Sequence, residues 1–411
     1  MKAYGNVVRN KGSSGVDGIG VDDLKPWLQE NWIKLKDELT EGRYQPQAIL
    51  GISIPKRSGG ERLLGIPTTF DRMIQQAIHQ ELSPMLEPEF SEFSYGFRPG
   101  KNAGQAILQV QRYINEGFWY IVDIDLKSFF DEVNHDYLMN LVKCKVNDPE
   151  LLRLIWRYLR SPIQIKGKLV KRRKGVPQGG PLSPLLSNIV LNELDKEMEK
   201  RGLRFVRYAD DFSIFLQTAR AADRVKHRIT RFIETKLHLV VNRKKSAIRR
   251  PLKYEYLGFS FELTYRKGIH GYYQLVVSME SLAALKYKIK EITRKTFPAS
   301  FDERIKKLNL LMRGWLNYFK HASIKGELKT MDGWVRNRLR YCIWHHWKKP
   351  RRRVKNLIRL GIPVRMAWQW ARSRMGGWAI SKSPILTTTI TLDRLKRRGY
   401  KSFLEYYLEI R

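Results

Sequence analysis

Residues 204–212 read RFVRYADDF, which places an adjacent aspartate pair, Asp210 and Asp211, between two apolar flanks. Apolar and aromatic residues on both sides of a short polar centre predict a β-hairpin with the carboxylates at its turn. Most Asp-Asp pairs lie on solvated turns, so the pair alone indicates little. Two adjacent carboxylates ionise together only at a cost unless a cation neutralises them, which makes this turn a candidate cation site.

A second apolar strand ends in carboxylates earlier in the chain. Residues 121–131 read IVDIDLKSFFD, with Asp123 and Asp125 at the end of the apolar stretch. Hard oxygen ligands with open positions suit Mg²⁺, which keeps water and substrate phosphates in its shell. Two such ions held by three carboxylates can activate a 3′-hydroxyl and stabilise the pyrophosphate that leaves. The two stretches together predict a phosphoryl-transfer site.

The composition favours a nucleic-acid partner. Across 411 residues, 77 Lys and Arg stand against 40 Asp and Glu, which gives a net charge of +37. A positive charge of this size attracts polyanions. The basic residues are spread over the whole chain, whereas a membrane-surface protein concentrates them on a single amphipathic element. A hydrophobic fraction of 43% with 11 Trp supplies cores for two or three packed units, which disfavours disorder and a small ribosomal-type structural protein.

The cysteines and the N-terminus bear on the compartment. Cys144 and Cys342 are too few for a disulfide framework or a zinc site of the usual spacing. Residues 1–18 lack the apolar stretch of a signal peptide, and no apolar run approaches the roughly 20 residues of a membrane span. We therefore expect a reducing compartment, the cytoplasm, and no membrane partner.

Patterns along the chain predict an α+β fold. A glycine-rich turn between two apolar stretches indicates a hairpin at 48–67, and Ile163–Val170 followed by a basic turn at 171–174 suggests another. Further helices are predicted in the N-terminal part at 22–40, 71–82, 136–160 and 185–201. From about 279 the chain becomes helical and basic, with helices predicted at 279–297, 302–322 and 328–348. This change predicts a domain boundary near 275–280.

The two carboxylate stretches resemble the catalytic motifs of reverse transcriptases. YADD at 208–211 resembles the YxDD box of that family, and DLKSFF at 125–130 resembles its first catalytic-aspartate motif. The resemblance implies that the catalytic residues, which hold two Mg²⁺ ions or alternatively Mn²⁺, are Asp125, Asp210 and Asp211. Asp125 rather than Asp123 is the match because the aromatic residue of the motif then falls on Phe130. Phe130 would exclude a 2′-hydroxyl, with a core aromatic as the alternative.

Further motifs follow in the order of that family. IPKRSGGERLLGIP at 54–67 resembles the fingers hairpin, where Lys56 and Arg62 would clamp the incoming triphosphate, although a basic hairpin tip is otherwise solvated. GVPQGGPLSP at 175–184 resembles the motif that supports the templating base pair, and Gln178 would contact the nucleotide. Its glycines allow close backbone approach.

Three shorter stretches complete the resemblance. LVVNRKKS at 239–246 resembles a later palm motif, with Lys245 as the matching lysine and a proton donor to pyrophosphate, and Lys244 as its competitor. SYGFRPG at 94–100 resembles a template-contacting loop of bacterial intron-encoded members, which assigns Arg98 to nucleic acid. YLGF at 256–259 resembles the apolar motif that grips the primer.

Two segments resemble group II intron-encoded proteins in particular: NKGSSGVDG at 10–18, like their N-terminal extension, and LNLLMRGWLNYF at 308–319, like their maturase domain. The implied fold is a right-hand polymerase with fingers and palm on an antiparallel sheet at 1–277. It is followed by an α-helical thumb or maturase domain at 278–349. A small, basic, helical extension that binds nucleic acid follows at 350–411. No second cysteine or H-N-H arrangement follows Cys342, so we expect the compact type without an endonuclease domain.

The helical half carries many tryptophans and a basic run at 348–353. The tryptophans either pack in a core or stack on bases. The run is a candidate for phosphate contact, with a solvated linker as the alternative; its basic residues are Lys348, Lys349, Arg351, Arg352 and Arg353.

The expected function is RNA-directed DNA synthesis together with binding of the protein's own intron RNA, to assist splicing and mobility by target-primed reverse transcription. The expected partners are intron RNA, a DNA target or primer and dNTPs, in a monomer or a dimer. One alternative is a splicing-only RNA-binding maturase with a vestigial polymerase site. Another is a reverse transcriptase recruited by the host for defence or repair.

Overall fold

The computed structural model describes residues 1–55, 60–264 and 271–411. It divides into two compact units, Met1–Arg250 and Pro251–Arg411. Within the described ranges no helix is long and apolar enough to cross a membrane. The predicted α+β class is confirmed, because the first unit combines sheets with helices and the second is helical after a small sheet.

Nine helices and eight strands are described in the first unit. In chain order they are α1 (Lys2–Arg9), α2 (Leu24–Thr40), β1 (Ile49–Pro55), β2 (Glu61–Ile66), α3 (Thr69–Leu86), α4 (Ala103–Asn115), β3 (Tyr120–Ile124), α5 (Phe129–Glu132), α6 (His135–Lys143), α7 (Pro149–Arg160), β4 (Ile163–Ile165), β5 (Lys168–Val170), α8 (Ser183–Lys200), β6 (Arg204–Tyr208), β7 (Asp211–Leu216), α9 (Ala219–Thr235) and β8 (Ala247–Arg249).

Local chemistry explains one difference from the expected helices. The single helical region predicted at 136–160 is two helices, α6 and α7, because Asp148 and Pro149 start a new one. An Asp148 carboxylate oxygen accepts hydrogen bonds from the backbone N–H groups of Glu150 (2.9 Å) and Leu151 (3.0 Å). Such a cap satisfies donors that a first helical turn leaves unpaired, and proline tolerates that position.

The central sheet has the order β6-β7-β3-β8, and its strands pair antiparallel. Ile124 pairs with Phe212, and Tyr208 pairs with Asp211 across the β6–β7 turn. The end of β3 therefore lies beside that turn. The apolar side chains of the sheet are buried together with those of α8 and α9, and each fully buried side chain contributes about 1.5–3 kcal/mol to folding.

A second sheet has the order β2-β1-β4-β5. The predicted β1–β2 hairpin is confirmed, with Pro55 opposite Glu61, while residues 56–59 lie outside the described part of the chain. The hairpin suggested by 163–170 and the basic turn at 171–174 is present, but its turn was misplaced: β4 and β5 pair with each other within 163–170. The turn is Lys166–Gly167, with φ of 48° and 80°. Positive φ at both central residues gives a tight turn whose twist matches its strands.

The second unit joins a small sheet to a helical array. Its elements are β9 (Glu255–Tyr256), β10 (Phe259–Leu263), β11 (Tyr273–Val277), α10 (Met279–Ile292), α11 (Phe301–Phe319), α12 (Lys325–His346), α13 (Pro350–Arg359), α14 (Val364–Ala371), α15 (Gly377–Lys382), α16 (Pro384–Thr387), α17 (Leu392–Arg397) and α18 (Phe403–Ile410). The three predicted helices are confirmed as α10–α12. The unit begins at Pro251 rather than near 277, and the division into functional domains stays a prediction.

The C-terminal extension packs within the second unit. Asp332 of α12 accepts hydrogen bonds from the Tyr400 hydroxyl (2.7 Å), the Ser402 hydroxyl (2.6 Å) and the Phe403 N–H (2.9 Å). This buried carboxylate ties the start of α18 to α12. The helical extension is thus part of the same compact body, and its role in binding nucleic acid stays a prediction.

Candidate active site

The aspartate pair lies at a strained two-residue turn. β6 ends at Tyr208 and β7 begins at Asp211, so Ala209 and Asp210 form the turn. Ala209 has a φ of 58°, in the left-handed region that residues with a Cβ rarely adopt. Such a conformation costs about 1–3 kcal/mol and persists where the surrounding structure enforces it. The predicted hairpin is therefore confirmed, with a strained peptide next to Asp210.

Asp125 is held by the stretch at 239–246. The Asn242 side-chain amide donates to Asp125 Oδ2 (2.8 Å), and the Asp125 N–H donates to the Ser246 hydroxyl (3.0 Å). The Asn242 N–H also donates to the Asp125 carbonyl (2.8 Å). Sequence reasoning singled out the lysines of this stretch and missed Asn242 and Ser246. A bridge between Leu126 and Val241 brings this stretch to Asp125, and no local pattern predicts it.

Electrostatics make the carboxylate cluster receptive to a cation. Burial raises the pKa of Asp211 to about 6, and three aspartate charges raise it too: those of Asp210, Asp123 and Asp125. Burial also raises the pKa of Asp210, while the charge of Arg62 lowers it. Ionised carboxylates in a partly desolvated cluster repel each other unless positive charge intervenes. The donor set and its charge therefore fit a divalent ion.

Asp123 belongs to a structural ion pair. Its Oδ2 lies 3.1 Å from Nε of Arg249 on β8, which pairs with β3. Burial raises the pKa of Asp123, and the hydrogen bond and charge of Arg249 oppose that rise. This engagement favours Asp125 over Asp123 as the first metal ligand, in agreement with the motif register.

A cleft of about 580 Å³ joins the predicted nucleotide-binding residues to the aspartates. Its lining includes Arg62, Phe130, Gln178 and Asp210. Arg62 Nε donates a hydrogen bond to Gln178 Oε1, so the guanidinium has a fixed partner on the far wall. Lys56, the other predicted triphosphate contact, lies outside the described residues.

Two further contacts shape this cleft. A Cβ on Gly179 would overlap the carbonyl oxygen of Gly65, so the loop at 175–184 lies flat on β2, as its glycines predict. Phe130 is 7% exposed, and its ring meets that of Phe129 edge-on at 5.2 Å. The charge of Lys245 lowers the pKa of Asp211, which favours Lys245 over Lys244 as the lysine near the aspartate cluster.

The loop at 94–100 lies behind the aspartate turn. Arg98 Nε donates to Glu87 Oε1 (2.9 Å), and Nη1 donates to the carbonyls of Ser94 (2.8 Å) and Ser91. With the Arg98 side chain 5% exposed, these bonds favour a structural role, and its contact with nucleic acid stays a prediction. Phe97, which sequence reasoning missed, is 50% exposed and lines the cleft.

The basic run in the second unit divides into two kinds of residue. Lys348, Lys349, Arg351 and Arg352 are exposed. Arg353 instead donates to the Trp347 carbonyl (3.0 Å) and lies over the Trp344 ring at 4.4 Å. The first four are thus available for phosphate contact, whereas the geometry of Arg353 favours packing.

Comparison with known proteins identifies the family. Residues 54–261 match the family model described as reverse transcriptase (RNA-dependent DNA polymerase), a span of half the chain. The chain belongs to the reverse transcriptases. In this reverse transcriptase, residues 282–361 also match the group II intron maturase-specific domain. The resemblance to group II intron reverse transcriptases and maturases is therefore confirmed, with RNA-directed DNA polymerase as the enzyme class.

Two relatives and one solved structure are examples of what the chain is similar to. Protein YkfC of Escherichia coli K12 is 32% identical over 273 residues, 57% of this chain and 71% of that protein. The group II intron-encoded protein LtrA of Lactococcus lactis subsp. cremoris is 36% identical over 206 residues, half of this chain but only 34% of LtrA. The solved structure of Candida albicans telomerase with a telomeric RNA fragment is 14% identical, covering 93% of this chain and 70% of that one, with a TM-score of 0.44.

Family membership implies RNA and other nucleic acids as partners and a general dependence on divalent metal ions. Among the residues that the structure describes, no three His, Cys, Asp or Glu side chains are grouped closely enough to ligate one ion as they stand.

Proposed function

We propose that Asp125, Asp210 and Asp211 are the catalytic residues of this polymerase and hold two Mg²⁺ ions, with Mn²⁺ as an alternative. The observation that carries the proposal is their convergence where the end of β3 meets the β6–β7 turn, in a site whose burial and negative charge raise the pKa of Asp211. When bound, the ions would activate a primer 3′-hydroxyl and stabilise the pyrophosphate that leaves.

The rest of the cleft fits an incoming dNTP. Arg62 offers a guanidinium to the phosphates, and Gln178 orients it by accepting its Nε–H. Lys56 would complete the clamp. Lys245, whose charge acts on Asp211, is the proposed proton donor to pyrophosphate.

The direct test is extension of a DNA primer annealed to an RNA template, with dNTPs and Mg²⁺. Elongated product that disappears with a chelator and returns with added Mg²⁺ or Mn²⁺ supports the proposal. A well-folded protein that extends no primer would contradict it.

Replacing Phe130 by alanine is expected to raise ribonucleotide incorporation about 10- to 100-fold relative to deoxynucleotides. The reason is steric: the ring forms a wall of the cleft that contains Asp210, and its removal makes room for a 2′-hydroxyl. Single-nucleotide extension with competing dNTP and NTP measures the ratio. Phe129→Leu, a change in the adjacent buried ring, is the control. Equal discrimination in both variants would make Phe130 a core aromatic only.

We propose as a second, linked activity that the second unit binds intron RNA to assist splicing and mobility. The match of 282–361 to the maturase domain supports this. So does a groove of about 1200 Å³ within that unit, lined by basic and aromatic side chains including Lys286, Tyr287, Lys290, Trp334 and Trp378. Lysines neutralise phosphates and exposed rings stack on bases, a combination suited to RNA.

The two alternative functions make different demands. A splicing-only maturase does not need the polymerase site, and the intact arrangement of Asp125, Arg62 and Gln178 argues against it. Host recruitment for defence or repair is compatible with the whole fold. An intron ribozyme around the reading frame favours the intron function, and its absence favours host recruitment.

Removing the four exposed charges of the basic run is expected to weaken RNA binding and reduce its salt dependence. The change is to alanine at Lys348, Lys349, Arg351 and Arg352, and each lost phosphate contact lowers the slope of log affinity against log salt by about 0.7–0.9. Filter binding across a salt series measures this slope.

The control removes the same charge from exposed positions on α9: Arg220, Arg224, Arg228 and Arg231. An equal loss in the control would show that only the overall field matters. In that case the run at 348–353 would be a solvated linker.

A further inference from the structure

A buried ion pair lies beneath the aspartate turn. Arg207 on β6 and Asp195 on α8 are both inaccessible to solvent. Arg207 Nε donates to Asp195 Oδ1 (2.8 Å) and Oδ2 (3.0 Å). Removing two charges from water is costly, and apolar residues of similar volume often serve stability equally well. Stability alone therefore does not account for charges at these two positions.

The same guanidinium reaches the turn. Arg207 Nη1 donates to the carbonyl of Ala209 (3.0 Å) and to Asn188 Oδ1 (2.9 Å). The Ala209 carbonyl belongs to the peptide that immediately precedes Asp210. Asn188, also on α8, donates through its side-chain amide to the Gly96 carbonyl (3.0 Å). Arg207 thus links the α8 helix to the strained peptide of the turn.

The main chain of Arg207 is fixed as well. Its N–H donates to the Phe93 carbonyl (2.9 Å), and the Tyr95 N–H donates to its carbonyl (2.8 Å). The loop at 92–96 is therefore bonded to the last part of β6. Together these contacts enforce the positive φ of Ala209, because a left-handed alanine relaxes unless its neighbours hold it.

We propose that Arg207 is a positioning residue: anchored by Asp195 and Asn188, it fixes the Ala209–Asp210 peptide so that Asp210 and Asp211 present their carboxylates to the same metal ions. The inference rests on the proposed catalytic function of that pair. Arg207 is buried from solvent, so it acts through the turn rather than on the substrate. Asp195 neutralises the charge of Arg207. Arg207 therefore acts mainly by orienting the turn and less by the electric field of its charge.

The main test removes the network while keeping a packed interior, in the full-length double variant Arg207→Met/Asp195→Leu. The expected result is a melting temperature within a few degrees of wild type, since both charges leave together. The turnover number in primer extension should fall about 100-fold, as expected for misplacement by about an ångström. The KM for dNTP should change little, while the half-saturating Mg²⁺ concentration rises.

Arg207→Lys is the conservative variant. It keeps a positive charge for Asp195 but lacks the planar fork that reaches Asp195, Asn188 and Ala209 at once. We expect the same kinds of change in turnover and Mg²⁺ dependence, smaller than in the double variant. Lysine that restored wild-type turnover and Mg²⁺ dependence would reduce the role of Arg207 to charge balance and overturn the proposal.

Tyr158→Phe is the control for general loosening of the first unit. It removes a buried hydrogen bond, from the Tyr158 hydroxyl to Asp71 (3.1 Å), in the same unit. Some loss of melting temperature with normal turnover and Mg²⁺ dependence is expected. A matching loss of turnover in this control, after correction for folded fraction, would overturn the positioning role.

The outcomes separate this inference from the proposed function. A folded double variant with wild-type turnover and Mg²⁺ dependence refutes positioning alone, whereas a wild-type chain that extends no primer refutes the polymerase site itself. If the double variant does not fold, Asn188→Ala decides, because it leaves the ion pair intact and removes one anchor of the guanidinium. Unchanged turnover and Mg²⁺ dependence in Asn188→Ala would then refute positioning.

Discussion

Replacing Asp210 and Asp211 by alanine is expected to abolish primer extension on an RNA template, with a loss of at least about 1,000-fold. The reason is that metal ions stabilise transition-state charge by several kcal/mol, and each 1.36 kcal/mol is a factor of ten in rate. RNA affinity should stay within about threefold, because the proposed RNA contacts are basic residues of the second unit. Primer extension and filter binding on the same preparations measure both quantities.

The folded state should tolerate this change. Burial and like charges raise the pKa values of both aspartates above their ordinary values, so at neutral pH their negative charges lower the stability of the folded protein. Their removal relieves that repulsion, and the melting temperature is expected to stay at or above that of wild type. A collapse of RNA affinity together with a lower melting temperature would instead make the pair structural.

The chain offers a matched control. Asp22 and Asp23 form another adjacent aspartate pair in the first unit, and both are exposed. Asp22→Ala/Asp23→Ala changes the net charge by the same amount at a solvated site. It is expected to leave extension near the wild-type rate. Extension that survives in Asp210→Ala/Asp211→Ala would refute the active-site assignment.

The placement of the aspartates was predictable because it follows from local patterns. A short apolar strand ends where polar residues begin, so the sequence indicated carboxylates at the end of β3 and at the β6–β7 turn. Their proximity also needed the pairing of β3 with β7, for which the resemblance to reverse transcriptases was the guide. The supporting residues Asn242 and Ser246 followed from neither, since polar side chains near a motif are common.

The burial of Arg207 could not be predicted from a local sequence pattern. A charged residue on a strand is usually expected to face solvent, yet Arg207 is buried because α8 brings Asp195 and Asn188 to it. Those partners are defined only by tertiary packing. Arg98 is similar: its motif suggested template contact, whereas its bonds to Glu87 and the Ser94 carbonyl hold the loop.

The second compact unit begins earlier in the chain than the change in composition. The charge of the chain changes near 277, and this change suggested the boundary there. The strands β9–β11 nevertheless pack with the helices: the Ser323 N–H donates to the Leu275 carbonyl (2.7 Å), and the rings of Phe259 and Phe319 are 4.9 Å apart. The net charge of a segment indicates which partners it can bind. A compact unit is instead defined by backbone pairing and core contacts.

Gly96→Ala is expected to reduce turnover at least about 100-fold with a much smaller effect on RNA binding. A Cβ at this position would overlap the backbone nitrogen of Ala209 and lie 2.9 Å from the Tyr208 carbonyl carbon. Both atoms belong to the main chain and cannot rotate away, so the aspartate turn itself must move. Displacement by about an ångström at a catalytic centre costs about two orders of magnitude in rate.

The control for this change is Gly5→Ala, the same substitution in the same unit at a helical position with open space around it. Alanine is the better helix former, so this variant is expected to be as stable as wild type or slightly more stable. Steady-state primer extension with varied dNTP and Mg²⁺ tests both variants. If Gly96→Ala kept wild-type turnover while folded, the loop at 92–96 could not be what holds the turn, and the rigidity of the aspartate pair would have to come from α8 alone.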